Sequence, residues 1–534
     1  MTTLLINGRV HSPAVPDATA MAVRDGVVAW LGSDAVGRAQ FPGATVVDLD
    51  GGFVAPAFVD SHVHLTGTGL SLVGLDLRGA TSLTHCLALV EDFARTHGDG
   101  PIWGHGWDES RWPERRAPST GELDAVLGDR PAYLARVDVH SAVATTALRR
   151  LAAGLAAAAG HHPDDPLTAE AHHVVRAAAR VRLTPDQLHR ARVAALDFAA
   201  GCGVVAVHEC AGPQIGGIDD WLGVRAIEHG VEVIGYWGEA VDCAAAAREI
   251  LDATGAHGLA GDLFVDGALG SHTAWLHEPY ADAPGVTGNT YLDTDAVAAH
   301  LRACTEAGVT AGFHVIGDAA VTAVVDAFAR VVGELGVPAV AGCGHRLEHL
   351  EMVTPAQARL LGSWGVAASM QPGFDALWGG ADGMYAQRLG PQRARELNPF
   401  ALLASEGVPL AFGSDAPVTA MDPWSTVRAA SNHRTPASSV SARAAFAAAT
   451  RGGWRAGGVR DGVTGTLVPG APASYAVWDT DVFEVGVPGQ AGSAGVLRWS
   501  TDPRSRVPAL PRLSADEPLP RCRQTVSRGV VIHG

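Results

Sequence analysis

Short apolar runs alternate with alanine-rich helical stretches throughout the middle of this 534-residue chain. Such alternation is typical of repeated β–α units, which place parallel strands in one sheet and helices outside it. Eight units favour a closed (β/α)8 barrel of the TIM type, an α/β fold, over an open sheet. The predicted strands are Phe58–His64, Val204–Glu209, Val231–Trp237, Asp262–Gly267, Thr310–Val315, His345–His349, Val366–Met370 and Leu410–Asp415.

Both ends of the chain differ from this middle because they contain short β-like runs with little helical sequence between them. Asp25-Gly26, for example, is a strong hairpin signal. We predict a small β-sandwich domain built from both termini, residues 1–54 plus 465–534, beside a barrel over residues 55–464. The interval between the first two barrel strands is too long for one crossover. We therefore expect an insertion at about 66–184 that covers the barrel mouth.

The formal net charge is −17, which makes nucleic acid and anionic membrane surfaces unfavourable partners. The N-terminus lacks the features of a signal peptide, and no run of roughly 18 apolar residues marks a membrane span. We therefore expect a cytoplasmic protein with a small-molecule substrate. The seven cysteines are odd in number and scattered, which indicates reduced thiols rather than a disulfide framework.

Two histidines end the first predicted strand. Side chains alternate across a strand, so His62 and His64 lie on the same face and can both coordinate one metal ion. Taken alone, such a pair is more often a hydrogen-bonded core feature. An apolar strand leads into it, however, and a loop with two glycines, Gly67–Gly69, follows. The pair is thus expected at the C-terminal end of a barrel strand, where barrel enzymes keep their active sites.

Single polar residues stand at the ends of later strands. They are His314, His349 and Asp415. Each is weak by itself, because a buried histidine is often only hydrogen-bonded and Ser-Asp before proline is often a turn. Several unrelated accidents at matching strand ends are improbable, so the set predicts a metal centre.

With these motifs the sequence resembles the amidohydrolase superfamily. It looks most similar to the branch typified by N-substituted formamide deformylase and the exoenzyme-regulatory type of metal-dependent hydrolase. The resemblance covers nearly the whole chain and rests on Phe58–His64, Asp262–Ser271, Phe313–Asp318, Leu347–His349 and Gly413–Pro417.

The resemblance implies a role for each matching residue. His62 and His64 match first-strand metal ligands, and His314 and His349 match ligands of the fifth and sixth strands. Asp415 matches the eighth-strand carboxylate that contacts the metal and transfers protons. Zinc, with Mn²⁺ or Fe²⁺ as alternatives, would polarise water to hydroxide, and Asp415 would act as general base and acid. A histidine beside the metal, His349, would help to stabilise the tetrahedral oxyanion.

One departure from the family pattern concerns the fourth strand. Many relatives bridge two metals there with a carbamylated lysine, but this chain contains no lysine. Asp262 occupies the matching position, and strand alternation would put Asp266 on the same face. Two versions of the site follow. In one, Asp262 bridges two zinc ions. In the other, His62, His64 and Asp415 hold one zinc, with His314 as an optional fourth ligand, and Asp262 supports the ligands without contacting the metal.

Substrate contacts are harder to read from the sequence. We predict His272, Trp107, Asp108 and Gln371 as substrate-binding residues, because two lie in the insertion and two follow barrel strands. Glu209, at the end of the second strand, is a third possible carboxylate at the metal, but the favoured interpretation is a rim residue in a salt bridge. Dimers are common among large barrels with an exposed accessory domain, so a homodimer is the oligomer to test.

The leading hypothesis is therefore a metal-dependent hydrolase of carbon–nitrogen bonds other than peptide bonds, acting on an amide or formamide in a small molecule. The nearest rival is an aminohydrolase (deaminase) of the same superfamily. Such enzymes carry a glutamate near the fifth-strand histidine, whereas Val315-Ile316-Gly317-Asp318 follows His314 here. The second rival is a catalytically silent barrel scaffold. Scaffolds usually lose metal ligands, and this set is complete apart from the lysine position.

Overall fold

The computed structural model describes residues 1–98, 100–480, 482–483, 496–498 and 506–534. Its centre is an eight-stranded parallel sheet in which the strands follow one another in chain order. A bridge between Val63 and Ala416 brings the last strand against the first, which confirms the predicted barrel. The barrel strands are Phe58–Val63, Val204–Ala211, Glu232–Trp237, Gly258–Leu259, Thr310–Val315, Arg346–His349, Ala367–Met370 and Leu410–Phe412.

The fourth strand corrects one prediction. It is Gly258–Leu259, and the predicted strand Asp262–Gly267 is a loop that follows it. This loop pairs with the sheet only through a bridge between Phe264 and His314. Its backbone turns at Gly261 (φ +76°), and Asp266 accepts three backbone N–H groups from neighbouring loops. Asp266 is therefore a loop anchor and does not share a strand face with Asp262.

Helices surround the barrel and bury its outer face. Thr184 and Thr354 each begin a helix with a reciprocal capping box followed by proline, a strong start signal. Apolar side chains such as Phe58, Phe313 and Trp424 fill the space between sheet and helices. The helices are Leu65–Val73, Pro185–Gly201, Gly217–Arg225, Ala244–Thr254, Thr294–Ala307, Asp318–Leu335, Val337–Cys343, Pro355–Trp364, Pro372–Trp378, Met384–Leu389, Pro391–Ala394, Phe400–Ser405, Pro423–Ser431, Ala442–Ala447, Ala448–Gly452 (a π-helix) and Gly453–Ala456, with a 3-10 turn at Pro436–Ser438.

The segment between Leu65–Val73 and Pro185–Gly201 forms a layer with its own five-stranded sheet. Its strands are Leu75–Asp76, Ile102–Trp107, Ala132–Arg136, Ser141–Ala144 and Leu167–Thr168. Apolar cores lie on both faces of this sheet. Its helices are Leu83–Thr96, Thr120–Leu127, Thr146–Arg149 and Ala169–Arg180, with 3-10 turns at Glu109–Arg111 and Leu155–Ala157.

Two further sheets lie at the chain ends. One contains Thr2–Ile6, Ala20–Arg24, Val27–Gly32 and Thr45–Asp48, and helix Asp34–Gln40 packs on it. The other joins Arg9–Val10 and Phe53–Pro56 to Tyr475–Asp479, Arg521–Ser527 and Val530–His533. A core shared by both sheets includes Leu5, Met21 and Val477, so both termini build one sandwich. A short ladder pairs Val496–Arg498 with Arg506–Pro508.

Two local predictions about the chain can be compared with the structure. The Asp25-Gly26 turn joins two antiparallel strands, with φ of +52° and +76° as a type I′ hairpin requires. All seven cysteines are free thiols. Among the described residues, no helix combines the length and the apolar character needed to cross a membrane.

Candidate metal centre

Six side chains converge at the C-terminal end of the barrel. They come from the ends of the first, fourth, fifth, sixth and eighth strands, and all six are buried. They are His62, His64, Asp262, His314, His349 and Asp415. The structure thus brings together every residue that the sequence predicted as a metal ligand.

Asp262 lies at the centre of this cluster. Its Oδ1 is 3.4 Å from His62 Nε2, 3.5 Å from His314 Nδ1 and 3.8 Å from His349 Nε2. Its Oδ2 is 3.1 Å from His64 Nε2. One carboxylate therefore faces both the first-strand pair of histidines and the pair from the fifth and sixth strands.

Asp415 closes the cluster from the eighth strand. Its Oδ1 is 3.3 Å from His64 Nε2 and 3.5 Å from His62 Nε2. The backbone of Asp415 has φ +55° and that of His349 has φ +70°, so both are in the left-handed region that non-glycine residues rarely adopt. Such conformations concentrate at functional sites, where surrounding structure enforces them.

Hydrogen bonds on the far side of three rings fix their tautomers. His62 Nδ1 donates to Glu348 Oε2 at 2.9 Å, His349 Nδ1 donates to Gln371 Oε1 at 2.7 Å, and His314 Nε2 donates to the carbonyl of Gly267 at 3.2 Å. When the rings are neutral, as metal binding requires, the other nitrogen of each presents a lone pair to the cluster.

The hydrogen-bond partners of the atoms that face the cluster indicate whether these residues fit a metal. His62 Nε2, His314 Nδ1, Asp262 Oδ1 and Asp415 Oδ1 are all buried and lack a hydrogen-bond partner. Lone pairs and carboxylate oxygens that face one another repel unless a cation lies among them, and buried polar atoms rarely stay unpaired. Imidazole nitrogen and carboxylate oxygen are ligands that zinc prefers. The donor set therefore fits a divalent metal.

The electrostatics of the cluster also favour positive charge. Burial alone would raise the pKa of Asp262, but His62 and the other histidines hold it well below its usual range. Burial would likewise raise the pKa of Asp415, yet His62 and its neighbours lower it. Burial opposes protonation of His64, but the two aspartates beside it raise its pKa to about 9. Both carboxylates thus remain ionised and attract a cation.

A buried ion pair supports His62 from inside the barrel. Arg346 contacts both carboxylate oxygens of Glu348, at 2.6 and 2.9 Å, and also donates to the carbonyl of Ser61. Both side chains are fully buried. Glu348 and Gln371 are therefore positioning residues for His62 and His349. The contact of Gln371 with substrate stays a prediction, and its Oε1 is occupied by His349.

Close packing of the first and eighth strands requires glycine at position 413. A Cβ there would lie 2.5 Å from the backbone nitrogen of His62 and 2.8 Å from Asp60 Oδ1. Asp60 in turn accepts the N–H of Ser414 at 2.8 Å. Because the strands approach so closely, Asp415 reaches His62 and His64.

The insertion covers the cluster and encloses a cavity of about 60 Å³ beside His64 and Asp262. Glu209 lines this cavity and accepts the N–H of Leu65 at 2.7 Å, rather than forming the predicted rim salt bridge. Burial raises its pKa to about 7. His105 also lines the cavity and donates from Nε2 to the carbonyl of Pro417 at 2.8 Å.

Three other predicted substrate residues lie outside this cavity and outside the smaller one beside His349. Trp107 is buried in the core of the insertion, where its indole donates to the carbonyl of Leu134. Asp108 caps the turn at Glu109–Arg111 and pairs with Arg136. His272 pairs with Asp282 at 2.9 Å on the partly exposed side of its loop. The structure gives all three a structural role.

Sequence reasoning missed most of the insertion side of the cavity. The residues that were not predicted to bind substrate include Trp103, Tyr133, His140, His172, His173 and Arg176. His140 lies closest to the metal cluster, with its ring centroid 5.2 Å from that of His314. No sequence pattern identifies these residues, because only the docking of the insertion onto the barrel brings them to the site.

Comparison with known proteins agrees with this geometry. A family model described as the amidohydrolase family matches residues 45–533. The Arabidopsis thaliana protein LONG AFTER FAR-RED 3 is 27% identical over 528 residues, covering 90% of this chain and 88% of that protein. N-substituted formamide deformylase of Arthrobacter pascens is 29% identical over 150 residues, 27% of this chain and 28% of that enzyme.

The comparison with solved structures gives the same result. The crystal structure of an uncharacterized metal-dependent hydrolase from Pyrococcus furiosus superimposes with a TM-score of 0.68 and 26% identity. The match covers 90% of this chain and 99% of that one. The family resemblance noted from the sequence motifs is confirmed.

Proposed function

Because this chain belongs to the amidohydrolase family, we propose that it is a metal-dependent hydrolase that cleaves an amide or formamide C–N bond in a small molecule. The observation that carries the proposal is the convergence of six histidine and aspartate donors, four of whose facing atoms are buried and unpaired. The similarity to N-substituted formamide deformylase supports a formamide as the first substrate class to test.

We propose zinc as the metal and Asp262 as a ligand shared by two ions. His62 and His64 would hold one ion, and His314 and His349 the other. Two donor triplets support this arrangement, one with each pair of histidines, and both contain Asp262 with all ligand atoms within 4.8 Å of one another. When bound, zinc supplies a Lewis acid that lowers the pKa of water and polarises a carbonyl.

Asp415 is the residue we assign to proton transfer. It stays ionised in the buried cluster, so it is able to take a proton from the attacking water at Oδ1. The same proton is then available to the departing amine nitrogen, which must leave as a neutral amine. His349 keeps its proton on Nδ1 toward Gln371, and its free Nε2 suits a ligand rather than an acid.

Metal analysis combined with a product assay tests the proposal. We expect about two zinc equivalents per chain purified without chelators, and formate release from N-formylated amines. Asp262→Asn should reduce the content to about one equivalent or less. Asp382→Asn, at an exposed carboxylate, is the matched control and should bind as the wild type does.

The same measurements separate the rival functions. Less than about 0.3 equivalents, with no rescue by added zinc or manganese, would leave a catalytically silent scaffold. Ammonia from an amino-heterocycle, without formate or another acid from amides, would identify a deaminase instead. One equivalent in the wild type, unchanged by Asp262→Asn, would overturn the shared-ligand arrangement while keeping the hydrolase.

A further inference from the structure

Arg176 lies between the inner cavity and the protein surface. It is on helix Ala169–Arg180 of the insertion. It lines the inner cavity of about 60 Å³ beside the metal cluster, and it also lines an outer cleft of about 210 Å³. Arg176 therefore borders both the space beside the metal cluster and the outer cleft.

The guanidinium of Arg176 has no counter-ion among the described residues. It donates to the carbonyl of Gln214 and to His173 Nδ1, and no carboxylate of the described chain lies within 4.0 Å of it. The nearby Asp220 is already paired, with Arg180 at 3.2 Å and with Arg192 at 2.8 Å. Two arginines share that single carboxylate, so this wall carries excess positive charge.

Two other features of Arg176 and Arg180 favour the binding of an anion. Arg180 Nε is buried and has no hydrogen-bond partner. Burial lowers the pKa of Arg176. A cation without a counter-ion in such a place is unfavourable until an anion binds it.

The other acidic groups that line the cavity do not neutralise Arg176. Asp262 belongs to the metal cluster. Glu209 accepts the N–H of Leu65, and burial raises its pKa to about 7. Both line the same cavity as Arg176, but neither is within ion-pair distance of it.

A short aromatic wall connects Arg176 to the metal ligands. The ring of His173 beside it lies 5.9 Å from that of Phe264, and Phe264 lies 4.9 Å from His314. Trp103 and Tyr133 complete the apolar lining. An anion at Arg176 and a bond held at the metal would therefore be joined along this wall.

We propose that Arg176 binds the carboxylate of the substrate, which is therefore a small N-acylated, in the first instance N-formylated, amino acid. A guanidinium fits a carboxylate through two parallel hydrogen bonds, so it provides geometry as well as charge. The inference rests on the proposed hydrolase function, since that function places the scissile amide at the metal cluster.

The activity test uses acids matched with their neutral amides. N-formylglycine, N-formyl-β-alanine and 4-formamidobutyrate place the carboxylate at increasing distance from the formyl group, and their carboxamides remove its charge. Formate release should favour one of the acids over its carboxamide by roughly 30-fold or more in kcat/KM. The preferred length reports the separation of Arg176 from the metal cluster.

Variants then show which residue causes the preference for the acid over its carboxamide. Arg176→Gln should reduce the acid-to-carboxamide ratio by roughly 30-fold, and Arg176→Lys should restore part of it, because lysine keeps the charge but loses the paired geometry. Arg182→Gln, at an exposed arginine just beyond the same helix, is the matched control and should keep the wild-type ratio. Thermal melting of each variant shows whether it is folded.

A binding measurement separates this inference from the proposed function. Calorimetric titration of the preferred acid into metal-free wild-type protein should give affinity at least about tenfold above that for its carboxamide, and Arg176→Gln should abolish the difference. Hydrolysis of formamides with no preference for the acid would overturn the inference alone. Absence of hydrolysis would overturn the proposed function, and the titration would then decide the role of Arg176.

Discussion

The barrel side and the insertion side of the cavity are built in different ways. On the barrel side, donors stand at strand ends and their rings are fixed by further hydrogen bonds, as His62 is by Glu348. On the insertion side, residues such as His140 and Arg176 belong to a layer with its own sheet and its own cores. In the proposed function, the barrel side would hold the metal and the insertion side would select the substrate.

The largest effect should follow from removing proton transfer on the barrel side. Asp415→Asn keeps the size of the side chain but loses its basicity, so kcat/KM for formate release should fall by roughly 10³-fold or more. The circular dichroism spectrum and melting temperature should stay close to those of the wild type. If the variant keeps more than about a tenth of the wild-type rate, Asp415 is not the proton-transfer residue.

A core substitution in the insertion tests whether the two sides are independent. Trp107→Ala removes a buried indole and should destabilise the insertion by about 3–5 kcal/mol, with faster proteolysis in that layer. Trp107→Phe, which keeps most of the packing, should be milder. Zinc content should remain at the wild-type value in both. If zinc is lost when the insertion unfolds, the barrel and the insertion form one cooperative unit.

A substitution behind the barrel ligands should weaken the metal without changing a ligand. Glu348→Gln removes the charge that orients His62 and leaves Arg346 buried without its partner. Zinc affinity, measured by chelator competition, should fall roughly 10–100-fold. Gln371→Leu at His349 should have a smaller effect, because only a neutral hydrogen bond is lost. Unchanged affinity in Glu348→Gln would mean that packing alone orients His62.

The metal cluster was predictable because its residues occupy strand ends. A regular barrel brings such ends together, so His62, His64, His314, His349 and Asp415 could be named without knowing any contact. Asp262 was identified by its match to the family pattern, whereas the strand predicted around it is wrong. Its position comes from the turn at Gly261 after a two-residue strand, not from alternation along the predicted strand.

The insertion was less predictable because local irregularity and docking decide its contacts. Alternation along Ile102–Trp107 would place Trp103, His105 and Trp107 on one face. Gly106, at φ +101°, shifts the strand register, so Trp107 turns into the insertion core while Trp103 and His105 reach the cavity. Arg176 lies on an ordinary amphipathic helix, and no feature of its sequence shows which surface covers the barrel mouth.

The contact between the insertion and the barrel should make the stability of the protein depend on pH, and this is the smallest effect that we expect. His105 donates to Pro417 across the join, and burial lowers its pKa to about 4. In the unfolded chain it takes up a proton below about 6.5, whereas the folded protein resists protonation until about 4. Stability contributed by this residue is therefore present above pH 6.5 and is lost as the pH falls toward 4, by about 2 kcal/mol at pH 5.

His105→Gln keeps a hydrogen-bond donor but cannot titrate. Urea unfolding at pH 7 and pH 5 should therefore show that the variant loses less stability at the lower pH than the wild type does. Equal losses in both proteins would mean that His105 is not held neutral at this join.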